Sequence, residues 1–493
     1  MEDNTEDSHT VGVDNVLVAP STRVAPEILR LVFIAVYLSI DRGHKEFVDC
    51  IASVCWRWRT IALETSSLWT RLVMDSGVIS KCHLNNWLSR SRRRMLDLRF
   101  YSVSPKTLPS AIQTAMHVLA PHTDRWGTMR LSLRDYSEMK DALSGWPSSL
   151  LALEDLSLSV AHYMTFGEYD LKVTAQRLRR LVLLNFPCLP SGFPFHQHFP
   201  ALTRVHLGGL TLYRLLGWDR PQPLALLNAL APLPHLEHLC IIDPGIRIAW
   251  SVYSILPHSD RAILSALKKI HFQAVHLDCI VAFMNTMEAP KLSSILCTGP
   301  YMYCDMFDSV GSVERDHHRH FPQLQRFRVC CDNSWVMNDP HLLDFIDDFR
   351  FKWVDFMNFR DKISKLIKLA GDWEDGAPMK SSRLISVEIH LQHLSVPVVE
   401  LRQLVVGRHH SKGSNSSPSQ PEMEVGSQQP SALEELRICT SEPIAETDRA
   451  WFTGKPDLKH FSWSDSRACL EERKSVDERR HLGGRLRMTF APK

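Results

Sequence analysis

The sequence feature that most constrains the fold is a recurring set of three apolar residues at positions i, i+3 and i+5. It is clearest in LEDLSL (residues 153–158) and LRRLVL (residues 178–183). The last two apolar residues of each copy are two apart, as on one face of a β-strand, and the first falls in the turn before the strand. The copies begin at Trp126, Leu153, Leu178, Leu202, Leu236, Leu267, Leu292, Leu324, Leu384, Leu433 and Leu458.

Several copies share a proline and a two-residue lead-in, as in FPALTRV, APKLSSI and FPQLQRF. Because these residues recur at the same positions relative to the apolar pattern, they argue against a pattern that arose by chance. The pattern resembles the L-x-x-L-x-L core of a leucine-rich repeat. The spacing is mostly 24 to 34 residues, with late gaps of 60 and 49. We therefore expect an α/β fold over residues 126–465, an irregular leucine-rich-repeat-like solenoid with a curved parallel sheet inside and helices outside. A leucine-rich α/β domain with a chance pattern is the alternative.

Other parts of the chain lack the repeat. Residues 338–375 are amphipathic and predict a helical insertion, which accounts for the longest gap. Residues 408–432 are rich in Ser, Gln, Gly and Pro and predict a disordered loop. We expect residues 1–22 to be a disordered acidic tail, residues 76–125 a connecting or capping segment, and residues 466–493 a C-terminal tail.

Two amphipathic helices are predicted before residue 65. The first follows Pro26, a residue suited to a first helical turn, and Ser66 or Ser67 can cap a short turn after the second helix. The first helix repeats apolar residues every four positions, in the two series Ile28, Val32, Val36 and Leu29, Phe33, Tyr37. The second carries one continuous apolar stripe, formed by Phe47, Ile51, Val54, Trp58 and Ile61.

The segments PEIL (26–29), VCWRWRTIA (54–62) and SLW (67–69) occur in this order, and residues 23–75 resemble an F-box. That resemblance implies a three-helix motif that binds the Skp-type adaptor of SCF ubiquitin ligases. Carried onto this sequence, the adaptor-binding residues would be Val24, Pro26, Ile28, Leu29, Val54, Cys55, Leu68 and Trp69. For each of them the alternative role is to hold the three helices together.

An F-box followed by degenerate leucine-rich repeats is similar to the large F-box families of mushroom-forming fungi. The resemblance implies a non-catalytic substrate receptor, joined through the adaptor to cullin and RING subunits, with no cofactor. One alternative is a leucine-rich scaffold outside any ligase, favoured by Val24 and Ala25 where the family usually has Leu-Pro. Another is an enzyme within residues 126–465, although no G-x-S-x-G, P-loop or H-E-x-x-H motif is present.

Residues that alternate with the buried positions of each strand should line the open face of the sheet. Many of them are basic, and guanidinium groups bind phosphate in a bidentate manner, so a phosphorylated or acidic segment of a target would suit this face. Ordinary solvated strand residues are the alternative. The candidate substrate-binding residues are Arg180, Arg204, His206, Lys269, Arg326 and Arg328.

Composition narrows the remaining possibilities. A net charge of +2 does not indicate a nucleic-acid-binding protein, and the run SRSRRR (89–94) is interpreted as solvated. The longest apolar run, residues 28–40, is too short to cross a bilayer, and the start is not typical of a signal peptide.

DHHRH (316–320) lacks a second ligand group, so no metal site is expected. Twelve cysteines without a CxxC pair favour a reduced, cytoplasmic or nuclear protein.

Overall fold

The chain forms two compact units, residues 1–73 with 79–97 and residues 74–78 with 98–493. Each unit is described separately below, from a computed structural model. The residues that this structure describes are 24–40, 44–74, 80–101, 109–161, 171–186, 193–209, 223–242, 261–275, 277–298, 320–324, 326–330, 353–357, 386–391, 398–399, 401–402, 405, 435–440, 444–456 and 458–464. The predicted segments 1–22, 408–432 and 466–493 lie outside these residues.

The first unit is mainly helical. As predicted, its first helix begins at Pro26, whose fixed φ suits the first turn of a helix. Its helical elements are α1 (Pro26–Ser39), α2 (His44–Val54), α3 (Trp56–Glu64), a 3-10 turn (Ser66–Trp69) and α4 (Lys81–Ser91). Two strands begin in this unit, β1 (Arg71–Met74) and β2 (Leu96–Tyr101).

The predicted single second helix is wrong, because the chain breaks at Cys55 into α2 and α3. Cys55 has an extended backbone, with φ −160° and ψ 168°, and its Sγ accepts the amide of Trp58 at 3.5 Å. The break turns α3 so that the Trp58 ring meets the Phe33 ring of α1 edge-on, with centroids 5.0 Å apart. Val54, placed on the predicted stripe, is 57% exposed as a result.

The predicted cap of the 3-10 turn is also wrong by one residue. Thr65 occupies the cap position, and its hydroxyl donates to the carbonyl of Ile61 at 2.6 Å instead of capping the turn. Ser66 instead accepts a hydrogen bond from the Arg94 guanidinium at 2.7 Å. Arg94, taken from sequence as part of a solvated run, therefore helps to hold the turn.

The second unit is built on a parallel sheet, so the α/β class predicted from the repeats is confirmed. Strands from β3 onward pair in chain order, β3-β4-β5-β6-β7-β9-β11-β12-β13-β14-β15-β16. A short parallel pair, β8 with β10, stands apart from this sheet. The strands are β3 (Trp126–Leu133), β4 (Asp155–Val160), β5 (Arg180–Leu184), β6 (Arg204–Gly208), β7 (His238–Ile242), β8 (Ala262–Ile263), β9 (Lys269–Gln273), β10 (Met287–Glu288), β11 (Ser294–Thr298), β12 (Arg326–Cys330), β13 (Trp353–Met357), β14 (Ser386–Leu391), β15 (Glu435–Thr440) and β16 (His460–Ser464).

The core of this unit lies on one face of the sheet, where the apolar positions of the sequence repeat meet in register. Leu156, Leu181 and Val205 are successive cross-strand neighbours, and so are Leu158, Leu183 and Leu207; all six are 0% exposed. Each residue here is covered by the equivalent residue of the adjacent strands, as the repeat predicts.

Tight turns place the first apolar residue of several described copies in the core. The amide of Leu202 donates to the carbonyl of Phe199 at 3.3 Å, and Pro200 follows Phe199 in this turn. Pro200 thus stands at the second turn position, where its fixed φ is favoured. The turn closed by the Leu292 amide and the Ala289 carbonyl, at 3.0 Å, repeats the arrangement.

Helices connect several strands of the second unit. The helices are α5 (Pro109–Leu119), α6 (Tyr136–Leu143), α7 (Phe195–His198), α8 (Pro223–Leu230), α9 (Leu277–Thr286) and α10 (Glu446–Thr453), with a 3-10 segment at Ala120–Arg125.

The helical insertion predicted for residues 338–375 is wrong at residues 353–357, which form β13. This strand pairs with β12 and β14, and Val354 and Phe356 fall in line with the apolar positions Phe327 and Val329. Phe351, Val354 and Phe356 have the i, i+3, i+5 spacing of the other copies. Unlike the other copies, this one contains no leucine.

Candidate protein-binding surfaces

The outer side of α1 is an exposed apolar surface. Helix α1 is apolar nearly all round, since only Glu27, Arg30, Tyr37 and Ser39 carry polar side-chain groups. A helix of this kind is normally buried on every side. The exposed side chains, which we call the α1 surface, are Val24 just before the helix (36% exposed), Ile28 (51%), Leu31 (63%), Val32 (49%), Val36 (40%) and Leu38 (58%).

The opposite side of α1 holds the first unit together. Leu29, Phe33 and Tyr37 are buried at 6%, 3% and 2% exposure. The Tyr37 hydroxyl accepts the amide of Arg71 at 3.1 Å, and burial raises the pKa of Tyr37 to about 12. The Arg71 guanidinium contacts the Asp97 carboxylate at 2.7 Å. The α1 surface therefore belongs to a helix whose opposite side is packed into the core of the first unit.

A second exposed apolar group lies where α2 gives way to α3. Val54 and Trp56 are 57% and 77% exposed, and Cys55 between them is also exposed. The break at Cys55 produces this group, because the helical register changes there. Near α1, the Arg57 guanidinium donates to the carbonyl of Val24, which holds the residue at the start of the α1 surface.

The structure separates the predicted adaptor-binding residues into two sets. Leu29, Leu68 and Trp69 are buried, and the Trp69 indole donates to the carbonyl of Ala62 at 3.0 Å, so these three hold the helical unit together. The Arg90 guanidinium lies 4.5 Å from the centre of the Trp69 ring. The exposed set is Val24, Pro26, Ile28, Val54 and Cys55.

Sequence reasoning missed Leu31, Leu38 and Trp56 as surface residues. For α1 the sequence does indicate that some apolar residues stay exposed, because a helix with apolar residues on all sides has more apolar surface than one small core can cover. For Trp56 no signal was available, since its exposure depends on the break at Cys55.

On the second unit, the open face of the sheet carries a row of basic residues, which we call the cationic row: Arg180, Arg204, His238 and Lys269. Each stands directly opposite the next on neighbouring parallel strands, from β5 to β9. Neighbouring strands are about 4.8 Å apart, so the row extends over roughly 14 Å. Arg204 and Lys269 are exposed, and Arg180 and His238 are half-buried.

One carboxylate stands at the end of this row. Asp155 lies opposite Arg180 in the register, and its Oδ2 is 3.4 Å from Arg180 and 3.0 Å from Arg130. The pKa of Arg180 is lowered, first by burial and further by the charges of Arg130 and Arg204, while Asp155 opposes this. Asp155 is thus shared between two guanidinium groups, and Arg180 experiences like charge on both sides.

A buried thiol and an imidazole meet on the next row of the same face. The Cys240 Sγ is 3.5 Å from His271 Nδ1, and His271 Nε2 is 2.7 Å from the Thr298 hydroxyl. Burial raises the pKa of the Cys240 thiol to about 12. A nucleophilic cysteine requires a thiolate, whereas this environment favours the neutral thiol. The pair therefore serves packing and hydrogen bonding better than covalent chemistry.

Three of the six predicted substrate-binding residues lie together in the structure. Arg180, Arg204 and Lys269 belong to the cationic row, and His206 lies opposite Val182 and Cys240 on the next row. Arg326 and Arg328 are in β12, but their side chains are outside the described part of the structure. Val182 and Cys240 alternate with the core leucines as predicted, but they are only 7% and 5% exposed, so little of either side chain is accessible on this face.

Among the described residues, no group of three or more His, Cys, Asp and Glu side chains is arranged to hold a metal ion. Of the DHHRH segment, the structure describes only His320. Within the same described residues, no helix combines the length and the apolar character that a membrane crossing requires.

Comparison with known proteins adds no relative: no protein-family model matches this sequence, and no curated protein matches it significantly.

Proposed function

We propose that this protein is a substrate-recognition subunit of an SCF-type E3 ubiquitin ligase. Residues 23–75 would bind a Skp-type adaptor, and the sheet of the second unit would bind the protein to be modified. The observation that carries the proposal is the α1 surface, a row of exposed apolar side chains on a helix whose other side is buried. It coincides with the segment that resembles an F-box.

The α1 surface has the character of a binding site for another protein. Contiguous apolar patches of this kind mark interaction sites, because water leaves them when a partner docks. Ile28, Val32 and Val36 recur every four residues, the spacing by which a helix presents anchors to a groove.

In this proposal the protein has no catalytic group and no cofactor of its own. Its contribution is to raise the effective concentration of target lysines near the ubiquitin carrier, which is recruited through the adaptor, cullin and RING subunits. The Cys240–His271 pair is consistent with this role, since its thiol is held neutral. A cytoplasmic or nuclear location belongs to the same proposal.

The direct test is co-purification of the full-length protein with a recombinant Skp-type adaptor, followed by size-exclusion chromatography with light scattering. We expect a 1:1 complex. The variant Ile28→Glu/Val32→Glu should weaken it at least about tenfold, because charges would be desolvated at the interface. Both residues are exposed, so the variant should fold.

The matched control is Leu151→Glu, an exposed leucine of the second unit (64%) that should leave the complex intact. A folded, monodisperse protein that forms no complex would contradict the ligase proposal and favour the leucine-rich scaffold. Equal loss of binding in the control would show that the α1 surface is not the site.

A further inference from the structure

We propose that residues 1–18 of this chain fold back on the first unit and occupy the α1 surface. Their apolar part would pack on the helix, and their acidic part would pair with the arginine run at residues 89–94. The segment would then compete with any protein that binds the α1 surface. That competition with an adaptor rests on the proposed function, whereas the contact within the chain does not.

Residues 1–22 contain the two kinds of group that suit such a contact. Val16, Leu17 and Val18 form a short apolar stretch shortly before the α1 surface. The same residues contain no lysine or arginine and five carboxylates, which are those of Glu2, Asp3, Glu6, Asp7 and Asp14. One short segment can therefore meet an apolar surface and a cationic surface at the same time.

The arginine run is held against the first unit near both of its ends. The Arg90 guanidinium lies 4.5 Å from the centre of the Trp69 ring. Arg94 donates a hydrogen bond to the Ser66 hydroxyl at 2.7 Å. Both contacts are made with the 3-10 turn, so the run has a fixed place on the same unit as α1.

Two arginines between these contacts lack a counter-charge. Arg92 and Arg93 are exposed, and neither forms an ion pair with a residue that the structure describes. Arg92 has φ 54° and ψ −127°, a conformation that glycine adopts easily and that strains an arginine. Backbone strain of this kind is typical of binding sites and switch segments. Asp97, the only acidic residue among the described residues 80–97, is paired with Arg71.

The chain is long enough for both contacts. Val18 precedes Val24 by six residues, so it can lie up to about 20 Å away, and Ile28 and Val32 are within a similar distance of Val24 along the helix. Asp7 precedes Val24 by 17 residues and can lie up to about 60 Å away. A unit of this size has a radius of gyration of about 12 Å, so the acidic stretch can reach the arginine run.

Attachment within one chain makes a weak contact sufficient. A short tether gives an effective concentration in the millimolar range, so a contact with a Kd of about 1 mM would be occupied most of the time. A second copy of the protein presents the same segment only at its own, lower concentration, which favours contact within one chain. A partner that binds the α1 surface more tightly would displace the segment and lose affinity in proportion to the covered fraction.

The test is photo-crosslinking in the full-length protein, with the photoreactive amino acid benzoylphenylalanine in place of Leu17. Illumination followed by mass spectrometry should link position 17 to residues 28–36 of the same chain. An equal mixture of isotopically labelled and unlabelled protein distinguishes links within one chain from links between two copies. No link to α1, or links only between copies, would overturn the proposal.

The apolar contact is tested by Ile28→Glu/Val32→Glu in the crosslinking protein. This change should lower the yield of the link within one chain at least about threefold, because the contact would desolvate the new charges. Both residues are exposed, so the fold should be retained. Leu151→Glu, at an exposed position of the second unit, is the matched control and should leave the yield unchanged.

The charged contact is tested by Arg92→Gln/Arg93→Gln, which should lower the same yield about threefold through the loss of two exposed ion pairs. The control is Arg177→Gln, an exposed arginine of the second unit. A yield that survives either double change would overturn the proposal. Because the adaptor is absent from this assay, the result is independent of whether the α1 surface binds an adaptor.

Discussion

Individual residues just after the strands connect the ends of neighbouring strands. Asn185, Gly209 and Ala274 each follow a strand and have positive φ values of 54°, 61° and 55°. The Asn185 amide donates to the carbonyl of Gly208 at 3.0 Å, and its side-chain amide donates to the carbonyl of Val160 at 3.1 Å. Asn185 thus ties together the ends of three successive strands.

Gly209 is predicted to be intolerant of a side chain. A Cβ there would lie 1.7 Å from the Asn185 Oδ1, and the positive φ adds backbone strain. Gly209→Ala should lower the free energy of unfolding by about 2 kcal/mol or more. Gly145→Ala is the control, because nothing lies within 4 Å of its Cβ position. Chemical denaturation of both variants checks this, and equal stabilities would contradict it.

The buried phenol of Tyr37 predicts a pH dependence of stability. Its pKa is raised to about 12, so the unfolded chain loses the phenolic proton before the folded chain does. This contribution to stability is complete below pH 10 and is lost as the pH rises from 10 to 12, by up to about 3 kcal/mol.

The measurement is the free energy of unfolding of the wild type and of Tyr37→Phe across that pH range. Tyr37→Phe lacks the titrating group and the hydrogen bond from the Arg71 amide. The wild type should therefore be more stable below pH 10, and its advantage should shrink towards pH 12. Parallel curves for the two proteins would contradict the assignment.

At the scale of the element, α1 shows how one helix serves two roles. Its periodicity predicts one broad apolar face, but the structure buries only one side of it. Phe33 packs edge-on against Trp58, whereas Leu31 is 63% exposed. The two residues are on the same helix and both are large and apolar. Substituting each of them therefore compares a buried position with an exposed position of one helix.

Phe33→Ala is expected to destabilise the first unit by about 3–5 kcal/mol, because it removes a buried aromatic ring. Leu31→Ala should change the free energy of unfolding by less than about 0.5 kcal/mol. Thermal unfolding followed by circular dichroism distinguishes the two. A large loss of stability in Leu31→Ala would mean that the α1 surface is covered within the folded protein and is unavailable to a partner.

At the scale of the whole molecule, each strand in the sheet of the second unit stabilises the strands beside it. From β3 to β7 each strand pairs only with the strand before it and the strand after it in the chain. In such a stack, a cavity weakens the strands beside it more than strands further away.

Leu207→Ala in β6 should therefore accelerate amide hydrogen exchange in β5 and β7 more than in β15. Leu207 is 0% exposed, so its truncation leaves a cavity between the two neighbours. Hydrogen exchange with mass spectrometry reads this out strand by strand. A uniform increase over all strands would show that the unit unfolds as a single cooperative block.

The repeat determined most of the second unit from sequence alone. Leu156, Leu158 and their counterparts recur at i+3 and i+5, and an alternating pattern of this kind can be buried only on one face of a strand. The parallel class of the sheet and the outward-facing positions of the cationic row follow from the same periodicity, whereas the register comes from the structure. The copy at β13, Phe351, Val354 and Phe356, has the same spacing but lies in a segment whose amphipathic pattern predicts a helix.

Only the tertiary structure decided which apolar residues remain outside the core. The periodicity of α1 places Ile28 and Leu29 on equally apolar sides, and the packing of Trp58 and Tyr37 selected the side of Leu29 for burial. At the break between α2 and α3, the Cys55 Sγ accepts the amide of Trp58, and Trp56 beside it is 77% exposed. The local sequence sets the apolar periodicity of a helix. Which of its apolar faces is buried depends on contacts with residues that are distant in the chain.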